Sequence, residues 1–233
     1  MCIRDRNLIV AAAGNLQHRE VVEQAEALFG HLPPSGESPS IPPIPELPGG
    51  ILHEDRKSVQ THLVFGGGAP PHSDPRRFTL SVLSSALGGG MSSRLFQRIR
   101  EELGLAYSVF TFQSFYSMGG ITGVYVGTRP ATAGKAADAI RHELAKVASE
   151  GLSPEEVEQT KQQLKGQIML SLESTGARLF RLARFALHEE PFMTLDQVLR
   201  TLDEVNPRGV AEAAEEFLDP ARLLLMSLGP EPL

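Results

Sequence analysis

Apolar residues fall along the chain in blocks whose period changes. Residues 8–13 (LIVAAA) form an unbroken apolar run closed by Gly14 and Asn15, which predicts a short strand and a turn. Over residues 18–29 the positions Val21, Val22, Ala25, Leu28 and Phe29 recur on one helical stripe, and Gly30 supplies a stop. One strand and one helix bury too little surface to stand as a domain, so this opening reads as the end of a larger unit.

Seven prolines then lie between His31 and Gly50. Proline fixes φ and removes a ladder donor, so the segment is expected to be extended and semi-rigid. It reads as a bridge between two structural units; the alternative is a long surface loop within one domain.

Beyond it the pattern predicts strands over 51–56, 58–66, 106–115, 121–128 and 222–228. Helices are predicted over 75–87, 92–103, 132–149, 153–174, 177–188, 194–205 and 207–217. Ser153-Pro154-Glu155-Glu156 is a strong helix start, with a capping serine, proline and two carboxylates in the positive first turn. Strands and helices do not alternate one for one. The expected class is therefore α+β, an antiparallel sheet backed by helices, rather than a doubly wound fold.

Composition narrows the function. The 233 residues carry 22 Lys and Arg against 28 Asp and Glu, a net charge of −6, which argues against a nucleic-acid partner because phosphate neutralisation needs a basic surface. No apolar run approaches the roughly 20 residues of a membrane span, and the start has no apolar signal core. With the true N-terminus expected to be missing, that absence is uninformative, and the compartment stays unknown, with the cytoplasm only a guess. The single cysteine, Cys2, reads as an inert terminal thiol. The nearest of the seven histidines are nine residues apart, so no two share a helix face at ligand spacing, and neither HExxH nor HxxEH occurs. Gly88-Gly89-Gly90 lacks the Lys-Ser/Thr of a phosphate loop and reads as a tight turn between helices, with φ > 0 and close backbone approach.

The segment after those glycines carries the candidate chemistry. On the predicted helix, Phe96, Ile99 and Leu103 form an apolar stripe, and Arg100 falls on the same face. An arginine there costs free energy unless it is paired or aimed into a cavity. Strict alternation in the next strand puts Tyr107 with Val109, Thr111 and Gln113, opposite Ala106, Ser108, Phe110 and Phe112. A guanidinium and a phenol close together would clamp a carbonyl or carboxylate oxygen. By spacing alone the ordinary reading, a snorkelling arginine and a boundary tyrosine, is the favoured one.

The string LGGGMSSRLFQRIREELGLAYSVF resembles the second-half signature of the pitrilysin/insulinase family of zinc metallopeptidases, which includes the mitochondrial processing peptidases. GLSPEEVEQTKQQLKGQIMLSLEST, RLARFAL and LLLMSLGP are similar to the rest of that half, and AAAGNLQHREVVEQAEALFGHLP to the close of the first. Residues 1–6 (MCIRDR) fit nothing in the pattern. The resemblance implies a clamshell of two α+β halves around a peptide. It divides this chain into 1–32, the end of the zinc-bearing first half; 33–50, the linker; and 51–233, the second-half domain. Zn2+ and the general base would belong to the first half, with no zinc ligand here, and the chain alone would be inactive. Arg100 and Tyr107 match the family's substrate-binding pair, seven residues apart. The implied partners are a peptide substrate and a zinc-bearing half or partner subunit. The alternative is a non-catalytic partner or structural subunit of the same family.

Overall fold

The computed structural model describes residues 8–32 and 49–233. The expected linker over 33–50 lies almost wholly outside the described residues, as do residues 1–6. The chain divides into two compact units, Met1–Pro43 with Gly166–Leu195, and Ile44–Lys165 with Asp196–Leu233.

The second unit is a five-stranded sheet with helices on one face. Its strands are β1 (Gly50–Asp55), β2 (Thr61–Ala69), β3 (Ala106–Phe115), β4 (Gly120–Thr128) and β5 (Leu224–Gly229), in the order β1-β5-β2-β4-β3. Three pairings are antiparallel. The fourth, β1 on β5, is parallel, which departs from the all-antiparallel expectation. Leu63, Phe65, Val109, Val124, Val126 and Leu225 are buried on one face. The register lines them up: Leu63 opposite Val126, Phe65 opposite Val124 and Leu225. Against this row pack α2 (Arg76–Gly88), α3 (Ala133–Glu150) and α7 (Pro207–Phe217). They contribute Leu80, Leu83, Leu87, Ile140, Leu144 and Val210 to the core. Burying each such side chain is worth about 1.5–3 kcal/mol. The opposite face, with Val64, Phe110, Tyr125 and Met226, stays partly exposed.

In the first unit, α1 (His18–Phe29) has the predicted bounds, and it shares an apolar cavity of about 340 Å³ with α5 (Thr175–Leu187). Val21, Val22 and Ala25 line it from one helix, Leu182, Ala183 and Ala186 from the other. Residues 8–13 form no strand, contrary to expectation. An apolar run becomes a strand only when a sheet supplies its ladder partners, and none pairs with it among the described residues. The helices α4 (Pro154–Ser171), α5, α6 (Leu195–Glu204) and α7 all lie within three residues of their predicted ends.

The start of α4 also shows how the site region is anchored. Glu156 N–H donates to Ser153 Oγ at 3.2 Å, and Glu156 Oε2 accepts from Ser153 N–H at 2.9 Å, a reciprocal capping box. The same carboxylate takes two bonds from Arg94, from Nε at 2.7 Å and from Nη2 at 2.8 Å. The Arg94 bond is the main reason the Glu156 carboxyl is held down at about 2, against the opposing effect of burial. A depressed carboxyl contributes stability above its unfolded value near 4.5, and loses it as pH falls towards 2. Glu156→Gln should therefore cost about 1 kcal/mol at neutral pH, with the gap closing between pH 5 and pH 2. Thermal melts of both proteins across that range test this; a gap that is constant with pH would contradict it.

Candidate functional site

The site is built where α2 hands the chain to β3. A Cβ on Gly88 would stand 2.6 Å from the Thr111 backbone nitrogen, so glycine lets the end of α2 press directly onto β3. The expected close approach is therefore present. The expected positive φ is not, because none of Gly88, Gly89 and Gly90 adopts it. The turn is closed instead by Ser93, whose N–H and Oγ both donate to the Gly90 carbonyl, at 3.1 and 2.6 Å.

The next element is not the regular α-helix that the spacing predicts. Phe96–Glu102 winds as a π-helix, whose bonds reach one residue further than α-helical ones. The wider turn redistributes the predicted stripe. Leu95 and Ile99 are fully buried, while Leu103 is turned out to 40% exposure. Arg100 leaves the core-facing row, and its side chain is 38% exposed. The cost expected for a buried arginine therefore does not arise. Leu103 N–H donates to Arg98 O at 3.1 Å and Leu105 N–H to Ile99 O at 2.9 Å, with Gly104 between them in the left-handed region at φ 58°.

The entry into β3 carries a second irregularity. Ala106 pairs with Thr128 and Ser108 with Gly127, so Tyr107 is an extra residue in a β-bulge. The bulge breaks the alternation on which Tyr107 shares a face with Val109. Ala106 and Val109 are both buried. Thr111 Oγ1 donates to Ser84 O at 2.7 Å and Gln113 Nε2 to Ser81 Oγ at 2.9 Å, both on α2. Tyr107 is taken out of that row and is 79% exposed.

The two irregularities bring Arg100 and Tyr107 together. The Arg100 guanidinium carbon lies 5.1 Å from the centre of the Tyr107 ring and 4.6 Å from that of Phe96. Its Nε is 3.4 Å from Glu101 Oε1. Cation–π contact at such an exposed site is worth about 0.5–1 kcal/mol. It holds the fork in place while leaving N–H donors to spare. Arg100 and Tyr107 thus present a guanidinium and a phenol at one exposed place.

Sequence reasoning missed two neighbouring features. His62 Nδ1 and Tyr125 Oη are 2.7 Å apart on the uncovered face, and Tyr125 stacks on Phe110 at 4.8 Å. Alternation in β2 and β4 could have placed His62 and Tyr125 on one face, though not in register. The second is a cavity of about 290 Å³ beside Tyr107, to which Gln60 and Arg129 contribute. No sequence signal marks it, because its walls come from separate segments.

Zinc does not fit the residues present. Among the described residues no group of three or more His, Cys, Asp and Glu could hold a metal ion. Among the described residues no helix is long and apolar enough to cross a membrane.

The fold is a mostly antiparallel α+β sheet backed by helices, with Tyr107 at the start of its edge strand β3. The chain belongs to the M16 peptidase family: residues 2–164 match the model for the peptidase M16 inactive domain. That match takes in residues 2–6, contrary to the expectation that 1–6 fit nothing in the family pattern. An uncharacterized zinc protease of Streptomyces coelicolor is 38% identical, over 96% of this chain and 50% of its own length. The uncharacterized zinc protease YmxG of Bacillus subtilis is 33% identical, over 94% and 54%. The chain thus spans about half the length of these curated relatives. Among solved structures, a peptidase M16 inactive domain from Pseudomonas fluorescens shares the fold with a TM-score of 0.84 at 22% identity, covering 94% of this chain and 52% of that one. A chain of complex III from Candida albicans does so with a TM-score of 0.78 at 18% identity, covering 93% and 54%.

Proposed function

We propose that this chain supplies the substrate-binding half of a zinc metalloendopeptidase that hydrolyses oligopeptides or small unfolded proteins. In this reading residues 1–32 end the zinc-bearing half, 33–50 link the halves, and 51–233 close over the peptide. The carrying observation is the exposed Arg100–Tyr107 pair, stacked at 5.1 Å with donors left over. When bound in the other half, zinc supplies Lewis-acid polarisation and an activated water. Arg100 and Tyr107 then donate to the substrate carbonyl oxygen as negative charge develops on it. That similar proteins are named zinc proteases supports the reading.

The second reading is a non-catalytic partner subunit. The fold likeness to a chain of complex III favours it.

One experiment addresses both. The coding sequence upstream is read for an in-frame HxxEH, and the chain is assayed alone and joined to that upstream half. The zinc-reloaded chain alone should cleave a fluorogenic peptide no faster than its Arg100→Ala variant, and the joined protein should cleave it readily. Cleavage by the chain alone would overturn the division of labour. An upstream half without HxxEH, and no cleavage when joined, would select the partner subunit.

A further inference from the structure

The cavity beside Tyr107 has walls that the Arg100–Tyr107 clamp does not use. Gln60 and Arg129 stand on it with Tyr107, and the 104–106 loop and Gly127 complete it. Its volume of about 290 Å³ suits one or two peptide residues, just below the roughly 300–1,000 Å³ of sites for drug-sized ligands. The walls are pinned. Thr128 Oγ1 donates to Leu105 O at 2.6 Å and lies 2.9 Å from Thr132 Oγ1, which ties the end of β4 to the loop before β3. Gly127 adds a wall without a side chain, where a Cβ would stand 3.2 Å from Tyr125 Oη and 3.7 Å from Gln60 Oε1.

The chemistry of the lining is one-sided. Arg129 is its one charged residue, and no Asp or Glu lines it. The main chain of Arg129 is held, its carbonyl accepting from Thr132 N–H at 3.0 Å and Thr132 Oγ1 at 3.1 Å. Its guanidinium has no ion-pair partner among the described residues, in a chain whose net charge is −6. Gln60 adds a neutral amide, and the bulged Tyr107 leaves backbone groups outside the ladder. A single guanidinium fork, with neutral donors around it and no second cation, matches a carboxylate.

We infer that this cavity is an anionic subsite that takes a peptide carboxylate, paired with the Arg129 guanidinium, next to the residue held by Arg100 and Tyr107. The inference rests on the peptide-binding reading above. The carboxylate has two sources, an Asp or Glu side chain or the peptide's own C-terminus, and both present the same group to the fork.

The test is a titration of the isotope-labelled 233-residue chain, followed by NMR, with three N-acetylated hexapeptides of one neutral sequence. One ends in a free carboxylate, one in an amide, and one carries an internal Glu and ends in an amide. At least one carboxylate-bearing peptide should bind about tenfold more tightly than the neutral amide and shift the Arg129 Nε–H signal. Arg129→Gln should erase that preference while leaving the neutral peptide's affinity unchanged. The peptide that responds identifies the source. Equal affinity for all three, or a preference that survives Arg129→Gln, overturns the subsite and leaves the peptide reading standing. Binding of none of them overturns both.

Discussion

Replacing Arg100 by Ala in the protein joined to its zinc-bearing half should lower kcat/KM by about 10²–10³, with zinc content unchanged. A donor aimed at a developing oxyanion acts on the transition state more than on the bound substrate. The loss should therefore fall mainly on kcat. Arg100→Lys should rescue little, because the two-pronged fork and its stacking on Phe96 and Tyr107 are lost while the charge is kept. Tyr107→Phe retains the ring beneath the guanidinium and removes only the hydroxyl. Its effect should be smaller, and the double variant less than additive, because the two groups touch. Steady-state kinetics with metal analysis of each variant decides this. Full turnover in both single variants would remove the pair from the mechanism.

Gly123→Ala should destabilise the fold by about 3 kcal/mol, a fall in Tm of roughly 6–12 °C for a chain of this size. Gly123 sits in β4 between Gly66 of β2 and Phe112 of β3. A Cβ there would stand 2.2 Å from the Phe65 carbonyl oxygen, 2.7 Å from Phe112 Cζ and 3.1 Å from Gly66 Cα. The Phe112 ring tip can turn aside. The carbonyl and the Cα are backbone of a paired inner strand, so relief requires β2 and β4 to part. Gly134→Ala, where a Cβ meets nothing within 4 Å, is the matched control and should leave Tm unchanged or slightly raised. Equal melting temperatures for the two variants would contradict the steric argument.

How much of the site could be read in advance differs for each of its parts. Arg100 and Tyr107 could be paired only through family resemblance, since spacing alone favoured an ordinary boundary pair. The reading that put Arg100 on a core-facing stripe assumed α-helical winding, and Phe96–Glu102 winds otherwise. The reading that grouped Tyr107 with Val109 assumed strict alternation, and the bulge between Ala106 and Ser108 broke it. Both departures lie within a few residues of the site. Each changes the count of residues per turn or per rung, which a hydrophobic pattern cannot register.

What the amino-acid sequence determined by itself is most of the local elements, though not the strand expected over 8–13 or the winding of Phe96–Glu102. The stripe of α1, the Ser153–Glu156 start of α4 and the span of β3 all follow from period, capping chemistry and punctuation, which act over a few residues. Tertiary structure decided the rest. The parallel pairing of β1 with β5 joins residues more than 170 positions apart. The grouping of Gly166–Leu195 with the N-terminal helix, and the meeting of Gln60, Tyr107 and Arg129 around one cavity, likewise join distant segments. Such contacts exist only once loops have closed and one packing has been chosen among many. That choice is made by burial summed over the whole core, and no single stretch of sequence records it.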